Sequence, residues 1–498
     1  MKNNYRNLVI LLFVSAIGIM AVQSNKELPA VNIIEEENKK PGTTDWLIKV
    51  PFDTCSYPNH QFCRRKQIEG YCSQTSVKGG DALSIFVSAD PASDYSLNIY
   101  RMGYYGGKGG RLMKIFSNLK GKPQDVPEAD KQTNFFECRW DTAITLTIPK
   151  EWVSGVYIGK LTGKKSNSQS YVVFIVKDYR KADFIFQCSD LTWQAYNRWP
   201  GWHSMYDEGQ KPWVNTNGAR ISFDRPYSLY VNGLPSDFNP LSNGAGEFLL
   251  WEYPLAFWME KEGYNVSYIS NIDTHADAAT LLRGKGFLSV AHDEYWTEQM
   301  FQNASAARDV GVNLLFLGGN SLDKEVYLHA STDKRANRVT GRVKENKNEQ
   351  DLMGASSYGV GYSSFVCTAP DHWLYQNTGM KLNDSIRDFV GWEYHGLPVS
   401  SQRQVTILAK NKIYPNKFKD ANSPDHTATI YSAPKGNFVF NAGTCFWSML
   451  LSIPPGYQKP VCNQGEQGYR VMDFSKPDPR VQQMTKNLLQ QCLSIKSK

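Results

Sequence analysis

Two rhythms of apolar and polar positions divide this chain. From about Trp46 to Lys177, short runs rich in β-branched and aromatic residues occur at 83–88, 95–101, 143–148, 155–161 and 171–176. Turn-forming residues separate them, at Gly79-Gly80, Asp90-Pro91, Gly106-Gly107, Gly109-Gly110 and Gly163. No helical period intervenes, so the pattern predicts a β-sandwich of roughly immunoglobulin size. From Ala182 onward, strand-like and helix-like segments alternate. Strands are expected at 183–187, 266–270, 287–290 and 312–317, and helices at 254–262, 276–282 and 298–309. Pro254 suits the first turn of its helix, Thr297 caps the last one, and Gly263 and Gly311 act as stops. Repeated β-α-β units predict a mostly parallel, doubly wound sheet. A long polar stretch at 323–350 loosens the pattern, and strands return at 405–409, 427–431 and 437–441.

On such a sheet, the loops leaving the carboxyl ends of parallel strands share one edge, where ligands bind. After the first strand comes Cys188-Ser189-Asp190-Leu191-Thr192-Trp193-Gln194-Ala195-Tyr196-Asn197. After the third come His292, Asp293 and Glu294, and after the fourth Gly318-Gly319-Asn320. A base and two carboxylates are costly to bury unpaired, so they are either solvated or hold something. A polar turn explains most such loops. Convergence of three of them makes a functional site the stronger reading.

At 498 residues the chain is too long for one core, so a multidomain protein of class α/β plus β is expected. Its expected parts are a signal peptide at 1–24, a flexible lead-in at 25–44, the β-sandwich at 45–178 and the α/β domain at 179–498. Lys2 and Arg6 precede an apolar run at 8–22, too short for a comfortable membrane span and long enough for a secretory signal. An uncleaved anchor is the alternative. The secreted reading implies disulfides among the nine cysteines, with at least one thiol left over. Cys55, Cys63, Cys72 and Cys138 are candidates for two bridges, and Cys462 and Cys492 for a C-terminal staple. The formal net charge of +7 is spread along the chain, with no Lys/Arg block dense enough for a nucleic-acid partner. Nothing in the sequence fixes the oligomeric state, and a homo-oligomer is compatible with it.

Several chemistries fit the convergent loops poorly. A Cys-His nucleophilic site would pair Cys188 or Cys445 with His292, but no glycine-flanked nucleophile stands at the strand end. Zinc sites use close-spaced pairs that are absent here, with no H-E-x-x-H and no C-x-x-C. Adjacent carboxylates such as Asp293 and Glu294 rarely face each other across a sugar. What remains is an oxygen-rich set of Glu294, Tyr196 and further tyrosines, with His292 and Asn320 beside it. Oxygen donors suit a hard cation.

These segments resemble the large (beta) subunit-like family of N,N-dimethylformamidase. The residues that carry the resemblance are Tyr100-Arg-Met-Gly-Tyr-Tyr-Gly-Gly107, Thr192-Trp-Gln-Ala-Tyr-Asn-Arg-Trp199, Phe223-Asp-Arg-Pro-Tyr227, Glu252-Tyr-Pro254 and His292-Asp-Glu-Tyr-Trp296. It covers most of the chain from about residue 80. The resemblance implies a β-sandwich followed by an α/β domain similar to class I glutamine amidotransferases. It also implies one iron held by two tyrosines and a glutamate, and hydrolysis of a small amide. Carried onto this sequence, the ligands are Tyr196, Glu294 and Tyr227, with Tyr230 near the last as an alternative. Relatives in the family can carry Tyr where this chain has Phe223. His292 and Asn320 would orient substrate, and Glu393 in Gly391-Trp-Glu-Tyr-His395 would move protons. His395 and the signal peptide depart from the family pattern, and the latter argues against an industrial amide as native substrate.

The implied centre is chemically coherent. Two phenolates and one carboxylate carry three negative charges, matching a mononuclear ferric ion. Free tyrosine ionises near pH 10, so a strong cation is needed to keep two deprotonated at neutrality. The competing expectation is a non-catalytic surface or matrix protein, with Trp199, Trp202 and Trp213 contributing to a sugar- or protein-binding face.

Overall fold

A computed structural model describes residues 32–49, 66–207, 219–228, 244–345, 348–397, 404–457 and 474–494. The expected signal peptide, Cys55, Cys63, Cys462, Trp213 and Tyr230 lie outside the described residues. From Asn32 onward the chain packs as one compact unit.

The N-terminal strands form two sheets. Glu69–Cys72, Ala82–Ser88 and Thr142–Thr147 make one, antiparallel throughout. Ser76–Lys78, Gln169–Lys177, Gly155–Gly163, Ser93–Met102 and Gly110–Gly121 make the other. Alternate residues of both, among them Ile85, Leu97, Ile144 and Phe174, share one apolar cluster. This is the period-2 burial that the sequence pattern encodes.

The chain changes character after Lys177, where a nine-stranded sheet begins. Five neighbouring strands are parallel, in the order Val266–Ser270, Phe184–Cys188, Gly286–Ala291, Asn313–Gly318 and Phe438–Asn441. Beyond them, His426–Ser432, Glu393–Gly396 and Ser356–Val360 add antiparallel pairings, as does Thr406–Asn411. The architecture is therefore mixed α/β with several sheets and no barrel. One apolar cluster runs from Trp46, Tyr100 and Ile175 into Phe184, Trp251 and Leu288, so the core crosses the change of sheet. The strand order reverses between Phe184–Cys188 and Gly286–Ala291, which opens a crevice at their carboxyl ends.

Local signals set the helix ends. Thr297 accepts a hydrogen bond from Met300 N and Gly311 closes the helix Glu298–Val310 at φ 119°. The stretch expected to be loose at 323–350 instead contains the strands Lys324–His329 and Val339–Glu345. These form a small sheet with Arg220–Ser222 and Tyr295–Trp296. In the first of them Val326 alone is buried. One inward residue in six is too weak a period to read from sequence.

The lead-in departs from expectation in the same way. Asn32 caps a helix, Ile33–Asn38, and Glu37 within the acidic run is buried. Its carboxylate accepts from Arg111 at 2.6 Å and Tyr105 at 2.9 Å. The partners lie some seventy residues on, where no local pattern reveals them. No disulfide forms among the described residues, and Cys72, Cys188, Cys367 and Cys492 are buried thiols. Among the described residues no helix is long and apolar enough to cross a membrane.

Arg101, from the Tyr100–Gly107 segment, explains part of that motif. Its guanidinium bonds both oxygens of Glu260 at 2.9 and 3.0 Å, with both side chains fully buried. Tyr268 and Tyr105 complete the network. Removing one partner of a buried pair strands the other charge and costs about 3–5 kcal/mol. Glu260→Ala is therefore expected to lower unfolding free energy by about that amount in denaturant titration; a loss below about 1 kcal/mol would contradict this account.

Candidate metal centre and active site

The site forms where two strand ends meet. Helix Asp190–Tyr196 follows the strand Phe184–Cys188, and Thr192 Oγ1 accepts from the backbone N–H of Glu294 at 3.1 Å. This stitches the tyrosine-bearing helix to the His-Asp-Glu turn. The turn itself is sharp, with Ala291 at φ 56°, a conformation most side chains avoid. Successive side chains then point opposite ways. Asp293 turns back beneath the sheet edge, held by Gln187 at 2.7 Å, Ser289 at 2.8 Å and Asn271 at 3.0 Å. His292 and Glu294 face the crevice.

Glu294 is the centre of the arrangement. Tyr196 Oη donates to its Oε2 at 2.5 Å, and Tyr206 Oη to its Oε1 at 3.2 Å. The two rings stack with centroids 5.1 Å apart and hydroxyls 3.3 Å apart. Tyr295 Oη touches Tyr206 Oη from behind. On the other side, His292 Nε2 lies 3.4 Å from Glu294 Oε2 and 3.0 Å from Glu393 Oε2. His292 Nδ1 lies 3.5 Å from Glu247 Oε2. Glu393 reaches this point because Gly319 lets two backbones touch: a Cβ there would sit 2.2 Å from the Glu393 carbonyl oxygen.

Of the residues expected at the site, Tyr196, His292, Glu294 and Glu393 come together. Asn320 lies on the same edge, and its Oδ1 accepts from Gly359 N at 3.2 Å. Tyr227 does not join them. It packs against Trp193 and beside Arg225, and the second tyrosine hydroxyl next to Glu294 belongs to Tyr206. The Asp-Arg-Pro-Tyr segment has another task. Arg225 donates to the carbonyls of Gln194, Asn197, Trp199 and His203, gripping the loop that leaves Tyr196. Asp224 pairs with Arg335 and Arg338. The loop then folds back through Met205 N to Ala195 O at 2.8 Å, which sets Tyr206 beside Tyr196. Phe223 shares the apolar cluster of Tyr196. Nothing periodic links residues 196 and 206, so Tyr206 and Glu247 carried no sequence signal.

The electrostatics favour a cation. Burial pushes the Tyr196 and Tyr206 phenols and the Glu247 and Glu393 carboxyls upward. Burial alone would pull His292 down, yet the close approach of Glu247, Glu294 and Glu393 outweighs it and pushes the imidazole upward. Three carboxyl groups and two phenols thus surround a single imidazole. Both His292 nitrogens, Glu393 Oε2 and both Glu247 oxygens are buried without an aligned hydrogen bond. Buried polar atoms in native proteins are nearly always satisfied, so such a cluster marks a missing partner. The ligand atoms of His292, Glu294 and Glu393 lie within 4.8 Å of one another and could hold a metal ion.

The cysteine alternative fares badly. Burial raises the Cys188 thiol well above its ordinary value and the Cys445 thiol to about 12. Neither supplies a thiolate at neutrality. His395 is buried, which pulls it down to about 4, and accepts from Ser321 N at 2.8 Å. Its Nδ1 donates to Asn441, so it braces the loop after Asn320 as a neutral ring.

Fold and site together define a mixed α/β protein with a buried carboxylate, phenol and imidazole centre at a sheet switch point. The family model described as N,N-dimethylformamidase beta subunit-like, C-terminal, matches residues 96–462, and the chain belongs to that family. At the family level this suggests an amide hydrolase. No individual curated protein matches the chain.

Proposed function

We propose that this protein is an exported, iron-dependent hydrolase of a non-peptide C–N amide bond in a small molecule. The observation that carries the reading is Glu294, set between two tyrosine hydroxyls and His292 in a buried crevice. Tyr196, Tyr206 and Glu294 would hold a ferric ion; all three donors are oxygens, as a hard cation requires. We read the N-terminal sheets as an immunoglobulin-like sandwich at 45–178 and the rest as amidotransferase-like. The signal at 1–24 would be removed on export.

When bound, such an ion polarises a carbonyl and lowers the pKa of water. The chain's own groups handle the remainder. Hydrolysis transfers one proton from the attacking water to the departing nitrogen. Glu393, whose carboxyl burial pushes upward, is placed to carry it. His292, beside both Glu393 and Glu294, orients the carbonyl oxygen by its Nε2. Trp251, with its ring centroid 6.0 Å from His292 and 5.9 Å from Trp392, gives the surroundings of His292 an apolar character that would favour a small uncharged substrate.

The binding-module alternative draws on aromatic surface. Trp199 and Trp202 are buried, so neither offers such a surface. Metal analysis of purified protein with an assay panel of formamides, short amides and amino-acid amides tests the proposal. Iron at one per chain and amine release are expected. Iron-loaded protein that yields no product across the panel would sink the enzymatic reading.

A further inference from the structure

Glu247 has no role in the reading above, and its position is hard to explain by packing. It ends a tight turn just before the π-helical segment Phe248–Glu252. A Cβ on the preceding Gly246, at φ 61°, would lie 2.8 Å from the Trp193 ring, so only glycine lets the turn pass. The turn delivers a carboxylate that is 1% exposed. Its single ion-pair partner among the described residues is His292 Nδ1 at 3.5 Å, and neither oxygen has an aligned hydrogen bond. Burying a carboxylate for one neighbour is expensive, and an apolar residue of similar size would pack as well. The arrangement has a recognisable logic. A carboxylate behind one imidazole nitrogen fixes the ring's direction, so that the other nitrogen faces the chemistry.

We propose that Glu247 is the positioning residue of His292: it holds the ring by Nδ1 and so keeps Nε2 between Glu294 and Glu393. The two nitrogens divide the work. Nδ1 faces Glu247, while Nε2 lies 3.0 Å from Glu393 and 3.4 Å from Glu294. Trp251 and Tyr196 pack near the ring, with centroids 6.0 and 5.3 Å away, and Glu247 adds the contact at Nδ1. Among the described residues Glu247 has no ion pair or aligned hydrogen bond other than its approach to His292, so it acts through that ring.

This inference rests on the amidohydrolase reading for its catalytic meaning, and its geometric half is tested apart from turnover. Crystal structures of the full-length protein would be compared for wild type, Glu247→Gln and Glu247→Ala. In Glu247→Ala, His292 Nε2 is expected to leave hydrogen-bonding reach of Glu393. An unmoved ring overturns the proposal whether or not any amide is hydrolysed. In the iron-loaded enzyme, Glu247→Gln should lower kcat by about 10–100-fold, the usual cost of losing an outer partner, with KM and iron content unchanged. Glu247→Asp, which keeps the carboxylate, should recover part of that loss. Wild-type kcat in Glu247→Gln would overturn the proposal, whereas absence of turnover in wild type would instead strike the amidohydrolase reading.

Discussion

Glu393→Gln is expected to abolish most turnover while leaving metal and fold in place. Glu393 reaches the site from the strand Glu393–Gly396, and its Oε2, 3.0 Å from His292 Nε2, has no aligned hydrogen bond. An amide in place of that carboxyl keeps volume and polarity but can no longer exchange a proton. Removing a general acid/base typically costs ~10²–10⁴ in rate. The measurement is kcat of the iron-loaded variant on whichever amide the wild type cleaves, with iron content determined on the same sample. Glu294→Gln is the informative companion, since it should lose the metal first and activity as a consequence. A Glu393→Gln enzyme within a few-fold of wild type would move proton transfer elsewhere, His292, whose Nε2 lies 3.0 Å from Glu393, being the next candidate.

How much of this was readable beforehand depends on the range of the interactions. Val266–Ser270 and Glu298–Val310 were legible because their signals are local: an apolar run, a Thr cap, a glycine stop. Half of the site was legible for a topological reason. Parallel strands place Tyr196, His292 and Glu294 at one sheet edge whatever the loops do. Tyr206 was not, because it arrives through an eleven-residue excursion gripped by Arg225, a contact between segments with no shared period. Glu247 was hidden for the same reason. Tyr227 illustrates the converse, a tyrosine in a distinctive motif whose Arg225 grips the loop while Tyr227 itself packs on Trp193, apart from the Glu294 cluster.

The burial of Glu37 shows that a charged run is a poor guide to solvation when its partners are distant. Glu37 has Arg111 and Tyr105, and Lys324 pairs with Asp323 at 2.6 Å. Asp323, largely buried and near Glu294, is raised to about 7. The negative field of the centre therefore reaches its surroundings, as expected for carboxylates gathered where a cation belongs.

Tyr196→Phe and Tyr206→Phe should each bleach the protein and strip its iron, and Tyr227→Phe should do neither. Each of the first two substitutions removes one hydroxyl from a stacked ring pair, so packing is nearly conserved while one anionic donor is lost. Losing an outer partner of a metal site costs about 10–100-fold in affinity, and losing a direct ligand should exceed that. The phenolate-to-iron charge-transfer band gives a direct readout, since its intensity depends on ligated tyrosinate. In Tyr196→Phe, Tyr206 remains 3.2 Å from Glu294 and any residual band reports on it alone. Tyr227 lies against Trp193, away from Glu294, so its hydroxyl is irrelevant to colour. Should Tyr206→Phe keep full colour and stoichiometric iron while Tyr227→Phe loses both, the assignment of the second ligand made here would be reversed. Should iron-loaded wild type show no such band, tyrosine ligation itself would be excluded, leaving the His292, Glu294 and Glu393 group as the metal's seat.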